Sequence, residues 1–438
     1  MESEVRKRPL AKVDSIPMEE LIQGAPEPTN PSSSQAGIIK DEDIPQSGDT
    51  GALSKMLAHL PARWRNWWIR VSTSFLMLFG FIFIGYLGPL AIVLLILAIQ
   101  LKAFHEIITI GYMVYRNYEL PWFRSISWYF LFCANYYFYG ETINEYFGSV
   151  LQKDVALHFL FKHHRIISYA MYSCGFIAFV CSLVKTFYRL QFFMFGWTHC
   201  TLLMVVVSSH LCMQNIFDGV IWFCLPVLLV CANDTWAYIC GFFLGKRFIN
   251  QPLTKLSPKK SWEGFVGGFI CTLIWGFIFS WFLTRFPILT CPVRLDANWH
   301  VLSTCEPSEY FIPVEHTVPI ILRPLFGLFG VGETVLIRPF QYHIAALGVF
   351  ASFIAPFGGF FASGFKRAFK VKDFGDLIPG HGGVMDRMDC HFVMQSFTNV
   401  YLSTFIRTPS VQTVLLAAMK LSTADREWLI EQLQGIID

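Results

Sequence analysis

Long apolar runs separated by short polar connectors occupy most of this chain, and the runs match the thickness of a bilayer. A spanning helix needs roughly 20 predominantly apolar residues. Nine segments meet that length loosely, at 69–86, 88–104, 125–147, 166–185, 190–210, 217–244, 264–284, 341–361 and 388–406. The pattern predicts an all-α polytopic membrane protein with about nine transmembrane helices. Tyr86, Leu87 and Gly88 alone separate the first two runs and Pro89 opens the second, so these two are expected to form a tight hairpin.

The ends of the chain read differently. Residues 1–53 are rich in Pro, Ser and acidic groups and contain no aromatic residue, which predicts a disordered tail. The tail has no apolar run behind a basic start, so the first span is expected to serve as the targeting signal. The membrane domain is placed at residues 54–410, with a long polar loop at about 285–340. An amphipathic tail follows at 411–438, where TADREWLIEQL from Thr423 has helical spacing and Thr423 with Arg426 resembles an incomplete capping pattern. KAFHEIITIGYMVYRNY, from Lys102 to Tyr118, fits either a helix lying on the interface or an extension of the second span.

Composition agrees with this organisation. Charged residues make up 15% of the chain, against about 25% in soluble domains, and a formal charge of +3 gives no case for nucleic acid. The distribution of Lys and Arg orients the chain. Lys55, Arg63, Arg65 and Arg70 stand among Trp64, Trp67 and Trp68 before the first span, which predicts a cytosolic amino terminus. Counting spans forward brings two basic loops to the same face, 245–264 and 364–387. The loop at 285–340 mixes arginines with acidic residues and is expected to be lumenal. Most cysteines lie in apolar runs and read as small hydrophobes. Cys291 and Cys305 can pair if their loop is lumenal.

Chemistry concentrates in three places. Asn233, Asp234 and Tyr238 lie inside the sixth run, where an ionisable residue is by default a functional candidate. Next comes LTKLSPKKSWEGFVGG, in which Ser257-Pro258 sets an extended or turned backbone, Lys259 and Lys260 supply cations, and Glu263 falls in the first turn of a span. The third and densest group runs from Ser363 to Asp389, SGFKRAFKVKDFGDLIPGHGGVMDRMD. Its Lys366, Arg367, Lys372 and Arg387 accompany Asp373, Asp386 and Asp389, a mixture suited to a magnesium-bound polyphosphate. Asp386 and Asp389, at i and i+3, are expected to share a helix face and one metal edge. Gly380, Gly382 and Gly383 would let backbone N–H groups approach phosphate oxygens. His381 reads as a phosphate donor or as a turn residue. Gly241 to Lys246 is one residue short of a P-loop, and neither G-x-S-x-G nor H-E-x-x-H occurs.

The run S-x-F-K-R-x4-K-D-x-G-x2-I-P-G-H-G-G-x-x-D-R-x-D resembles the signature of the phosphatidate cytidylyltransferases, or CDP-diacylglycerol synthases. The Asn233-Asp234 helix and the SPKKSWEG loop resemble that family's upstream blocks, and the likeness covers roughly residues 60–410. The polar head and long loop look like the eukaryotic branch, which implies the endoplasmic reticulum membrane. The resemblance implies transfer of a cytidylyl group from CTP to phosphatidic acid, giving CDP-diacylglycerol and pyrophosphate for phosphatidylinositol and other phospholipids, at a polar active site facing the cytosol. It implies Mg2+, with K+ as a second metal, on Asp373, Asp386 and Asp389. Asp234, Lys259, Lys260, Lys366, Arg367, Lys372 and Arg387 would serve catalysis, and Asn233, Tyr238, Ser257, Ser363, His381, Gly382 and Gly383 would bind substrate. A homodimer is implied by the resemblance alone, since Gly264, Gly267 and Gly268 permit close helix packing without naming a partner. Two rivals use the same features, a CTP-dependent polyprenol kinase and a transporter with Asp234 at midplane.

Overall fold

An apolar run in a membrane must satisfy its own backbone N–H and C=O groups, and helices do so. The computed structural model describes residues 61–115, 122–151, 155–245, 247–249, 251–254, 257–293, 308–317, 334–378, 381–407 and 421–437, with isolated positions such as Cys305 between them. The expected disordered tail, residues 1–53, lies outside these. Each of the nine expected segments falls on a helix, and five described helical stretches are long and apolar enough to cross a membrane.

Helices α1 (Ala62–Leu87) and α2 (Pro89–Tyr115) form the expected hairpin. Gly88 makes the turn at φ +105°, a conformation that residues with a Cβ rarely adopt. Helix α2 continues unbroken to Tyr115, through the described part of the segment that also fitted an interfacial helix. Ala103, Phe104, Glu106, Ile107 and Ile108 are all buried, so packing and not the interface claims this stretch. Helix α3 (Phe123–Leu151), the short α4 (Val155–Lys162) and α5 (His164–Cys181) follow. A long helical stretch then comprises α6 (Tyr188–Thr201), a wider π turn at Leu202–Val207, and α7 (Ser208–Phe217).

Helix α8 (Ile221–Leu244) leads through a small antiparallel hairpin, β1 (Pro252–Thr254) and β2 (Ser257–Ser261), into α9 (Trp262–Leu283). Helices α8 and α9 approach closely because glycines line the contact. A Cβ on Gly264 would lie 2.8 Å from the Ala237 carbonyl oxygen, and one on Gly267 would lie 2.7 Å from Cys240 Cβ. The partner of these glycines is therefore α8 of the same chain. Beyond the four-residue α10 (Pro287–Thr290), Cys291 is disulfide-bonded to Cys305, and β3 (Val314–Thr317) pairs with β4 (Thr334–Ile337).

The eighth expected span is interrupted. It comprises α11 (Pro339–Phe353) and α12 (Pro356–Ala368), and the break falls where Pro356 withholds a backbone donor. As a result Lys366 and Arg367, expected in a loop, sit on a helix, together with Ser363. Helix α13 (Met385–Phe405) follows. The main core joins Leu225 and Leu229 of α8, Phe340 and Leu347 of α11, and Met394 and Leu402 of α13. A buried amide network pins α13 further. Asn215 Nδ2 donates to Gln395 Oε1 at 2.9 Å, Asn399 Nδ2 to Asn215 Oδ1 at 3.1 Å, and Gln395 Nε2 to the Phe223 carbonyl at 2.9 Å. The last helix, α14 (Thr423–Ile437), is exposed and is capped by Ser422, whose Oγ accepts from Asp425 N at 3.2 Å; the cap is thus one residue before Thr423.

Candidate active site

The carboxylates and cations singled out in the sequence gather where α8, α12 and α13 meet. Asp386 stands in the first turn of α13 and is almost fully engaged. Its Oδ1 accepts from Lys366 Nζ at 2.6 Å, and its Oδ2 accepts from the Phe374 and Gly383 amides at 2.8 and 3.0 Å. Asp386 therefore ties α12 and the 369–384 loop to α13. Asp373 lies on the other side of Gly382, where an added Cβ would be 3.1 Å from both Asp373 Cγ and Asp386 Oδ2. Burial, then the Asp386 carboxylate, pushes the Asp373 carboxyl above its ordinary range, against the pull of Lys366 and Lys372.

Asp389, one turn further along α13, does not join that pair. Its Oδ1 accepts from the Cys390 amide at 2.7 Å, and Oδ2 packs against Gly359 of α12. It lies within repelling range of Asp234 of α8. Lys260 and Arg387 attract Asp234, while Lys366 attracts Asp389. The structure thus divides the expected metal edge. Asp386 and Asp389 are neighbours in sequence but serve different contacts, and among the described residues no three His, Cys, Asp or Glu side chains form a ready cation cage. Two like charges from separate helices repel unless a proton or cation offsets them.

The remaining candidates take varied positions. Asn233 is buried beside Asp234 in the chain, and Tyr238 is 75% exposed. Lys260 is exposed and its Nζ stands 4.8 Å from the Phe360 ring centroid. Ser257 and Lys259 lie in β2, and their side chains fall outside the described residues. Ser363 Oγ donates to the Gly359 carbonyl at 2.8 Å, stitching its own helix. Arg367 and Lys372 are exposed.

The glycine amides do not face outward as expected. Ile378 and Gly382 exchange backbone hydrogen bonds, 2.9 Å from Ile378 N to Gly382 O and 3.1 Å from Gly382 N to Ile378 O, and Gly383 N is held by Asp386. Gly380 lies outside the described residues. The loop spends these donors on itself because Gly382 adopts φ +81°, which folds the segment back over Ile378. His381 is clamped from both sides. Its Nδ1 is 3.0 Å from Thr73 Oγ1 and its Nε2 is 3.2 Å from Ser74 Oγ, both on α1, while Arg387 donates from Nε and Nη2 to the His381 carbonyl at 3.0 and 2.7 Å.

Sequence reading missed Thr73, Ser74 and Glu106. Glu106, on α2, accepts from the Val384 amide at 3.1 Å and the Met385 amide at 2.9 Å. The signal for it was present, a single carboxylate within an apolar helix, which is the same signal that marked Asp234.

In this helical membrane protein, Asp234 of α8, Lys366 of α12, and Asp386, Arg387 and Asp389 of α13 come together with Lys260 of β2. The chain belongs to the cytidylyltransferase family, whose sequence pattern matches residues 68–405, and it is accordingly a nucleotidyltransferase. It is 52% identical over 377 residues to phosphatidate cytidylyltransferase 1 of Mus musculus, covering 85% of this chain and 80% of that protein. It is 49% identical to phosphatidate cytidylyltransferase 2 of Homo sapiens, covering 85% and 81%. With phosphatidate cytidylyltransferase of Caenorhabditis elegans the identity is 44%, over 93% of this chain and 91% of that protein.

Proposed function

We propose that this chain transfers the cytidylyl group of CTP to phosphatidic acid, releasing pyrophosphate and forming CDP-diacylglycerol. The observation that carries the reading is 44–52% identity to proteins named phosphatidate cytidylyltransferase over most of the chain, with Lys260 and Arg387 within electrostatic range of Asp234, and Lys366 and Asp234 within that of Asp389. A phosphate monoester has a second pKa near 6, so phosphatidic acid is largely dianionic at neutral pH and attacks the α-phosphate without a general base. The protein's work is to align two anions and to set cations against the charge that grows toward pyrophosphate. Lys260, Lys366 and Arg387 would meet the phosphates. Arg387, fixed through His381, has little freedom to follow a moving substrate, which suits a preorganised contact.

Mg2+ fits the donor set, because it is usually bound by one or two carboxylates and completes its shell with substrate phosphates and water. Asp389 and Asp234 would hold it, and bound Mg2+ would draw charge from the phosphate oxygens. K+ as second metal stays within the proposal, with Asp373 as its donor. No part of the homodimer implied by the resemblance is supported by Gly264, Gly267 or Gly268, since α8 fills their face.

The reading makes a quantitative demand. Purified protein with phosphatidic acid, labelled CTP and Mg2+ is expected to yield equal amounts of pyrophosphate and labelled CDP-lipid, both lost on adding EDTA. CDP release with no nucleotide on the lipid would establish a kinase instead. Coupled ion flux in liposomes without CTP would establish a transporter.

The proposed setting is the endoplasmic reticulum membrane, with the amino terminus and the site toward the cytosol and the 285–340 loop toward the lumen. The Cys291–Cys305 disulfide supports this, because disulfides persist in the oxidising lumen and not in the reduced cytosol. In sealed microsomes, a membrane-impermeant maleimide is expected to reach a cysteine introduced at Lys372 directly. It should reach reduced Cys291 and Cys305 only after the membrane is permeabilised. Direct labelling of the latter pair would reverse the orientation.

A further inference from the structure

The first N–H groups of any helix lack acceptors within the helix and must find them elsewhere. In many proteins that bind phosphate these groups face the ligand. Helix α13 begins beside the proposed site, yet two amides at its start, those of Val384 and Met385, are already taken. Val384 N donates to Glu106 Oε1 and Met385 N to Glu106 Oε2, one to each oxygen. The carboxylate comes from α2 and is only 4% exposed. Its negative charge also suits the positive end of the α13 dipole.

The loop closes on the same side chain. A Cβ on Gly375 would lie 2.8 Å from Glu106 Oε1, and its three nearest neighbours would all be Glu106 atoms. A Cβ on Gly383 would lie 2.6 Å from Glu106 Oε2. Both glycines are therefore places where the loop lies directly on the carboxylate. The stem of Glu106 is fixed in turn, because Ala103 and Ile107 of α2 share an apolar cluster with Phe374 of the loop and Met385 and Phe392 of α13.

We propose that Glu106 is a positioning residue for cytidylyl transfer, an internal anion that fixes the start of α13 and thereby the placement of Asp386, Arg387 and Asp389 against the loop. The proposal rests on the cytidylyltransferase reading above. Glu106 touches neither nucleotide nor lipid. It acts through Met385, the residue immediately before Asp386. A further consequence is that the Val384 and Met385 amides are withheld from substrate phosphate, which leaves more of its charge to side-chain cations. Displacing reacting groups by about 1 Å costs on the order of 10²-fold in rate, so the effect should appear in kcat.

The test uses purified full-length protein, phosphatidic acid, CTP and Mg2+, with thermal midpoint and monodispersity recorded for each variant. Glu106→Gln removes the charge and turns an amide N–H2 toward a backbone donor. It is expected to lower kcat about 10²-fold while KM for CTP changes by less than about 3-fold, because the nucleotide's own contacts are intact. Wild-type kcat in this variant would overturn the proposal. A simple loss of folded protein would lower the midpoint and the active fraction together, so a second set of variants separates the two cases. Gly375→Ala should impair kcat by crowding Glu106, and Glu106→Asp should impair it by shortening the clamp. The double variant is expected to retain at least about 5-fold more activity than the two single losses multiplied together would leave, since the shorter acid vacates the space that the new Cβ needs. Strict additivity would overturn the proposal even if Glu106→Gln cannot be purified. Wild-type protein that forms no CDP-lipid in the same assay would instead overturn the activity itself, and the Glu106 role with it.

Discussion

Asp389→Asn is expected to lower turnover by at least about 10³-fold, roughly 4 kcal/mol of transition-state stabilisation, while leaving the unfolding midpoint unchanged or raised. The substitution keeps the shape that packs against Gly359 and leaves an oxygen for the Cys390 amide. What it removes is charge. In the absence of a cation, burial of the Asp389 charge is the main penalty and repulsion from Asp234 adds a smaller one, so neutralising the side chain relieves the fold even though the attraction of Lys366 is lost. In the working enzyme the same charge is proposed to hold Mg2+ beside the phosphates, and an amide is a far poorer ligand. Asp234→Asn should behave alike. The measurement is kcat for CDP-lipid formation over a range of Mg2+ concentrations, paired with a thermal melt of the same preparation. A tenth of wild-type activity in either variant would remove that residue from the proposed cation site. A midpoint lowered by several degrees would show that the carboxylates support the fold instead.

The helices were legible because hydrocarbon imposes one rule on every residue of a span, and a run of apolar side chains therefore announces its structure locally. Asp234 and the Ser363–Asp389 segment were legible for the complementary reason, since charge beside so much apolar chain has few structural explanations. What sequence spacing could not give is which charged group answers which. Asp386 and Asp389 share i, i+3 spacing, yet the first turns to Lys366 and two loop amides and the second meets the Cys390 amide and Gly359. The spacing fixes a helix face and leaves the neighbouring helices undetermined. Glu106 was passed over because its partners, Val384 and Met385, lie 278 and 279 positions away. Read locally, it is one polar residue in a stretch that suits an interface as well as a core. The glycines show the same limit from the other side. Gly264, Gly267 and Gly268 signalled a close approach, and only the assembled structure shows that α8 makes it.

The second carboxylate of the α13 pair should fail differently from Asp389. Asp386→Asn is expected to abolish turnover and also to lower the unfolding midpoint. Asp386 is 5% exposed and its partner Lys366 20%, so the pair is largely removed from water. Breaking a buried pair costs about 3 to 5 kcal/mol, and the residual access of Lys366 to solvent reduces this to about 2 to 3 kcal/mol here. The amide cannot serve all three partners. If its oxygen accepts from the Phe374 and Gly383 amides, its N–H2 faces the Lys366 ammonium, donor against donor. The loop or α12 must then give way, and the loop is expected to become the first site of limited proteolysis. Lys366→Met in the Asp386→Asn background removes the stranded cation and should recover part of the midpoint. Activity should stay absent, because Lys366 is itself among the cations proposed to face phosphate. An Asp386→Asn protein that melts with wild type would mean that the 369–384 loop is held by other contacts. Loss of turnover alone would then place Asp386 with Asp389 at the cation.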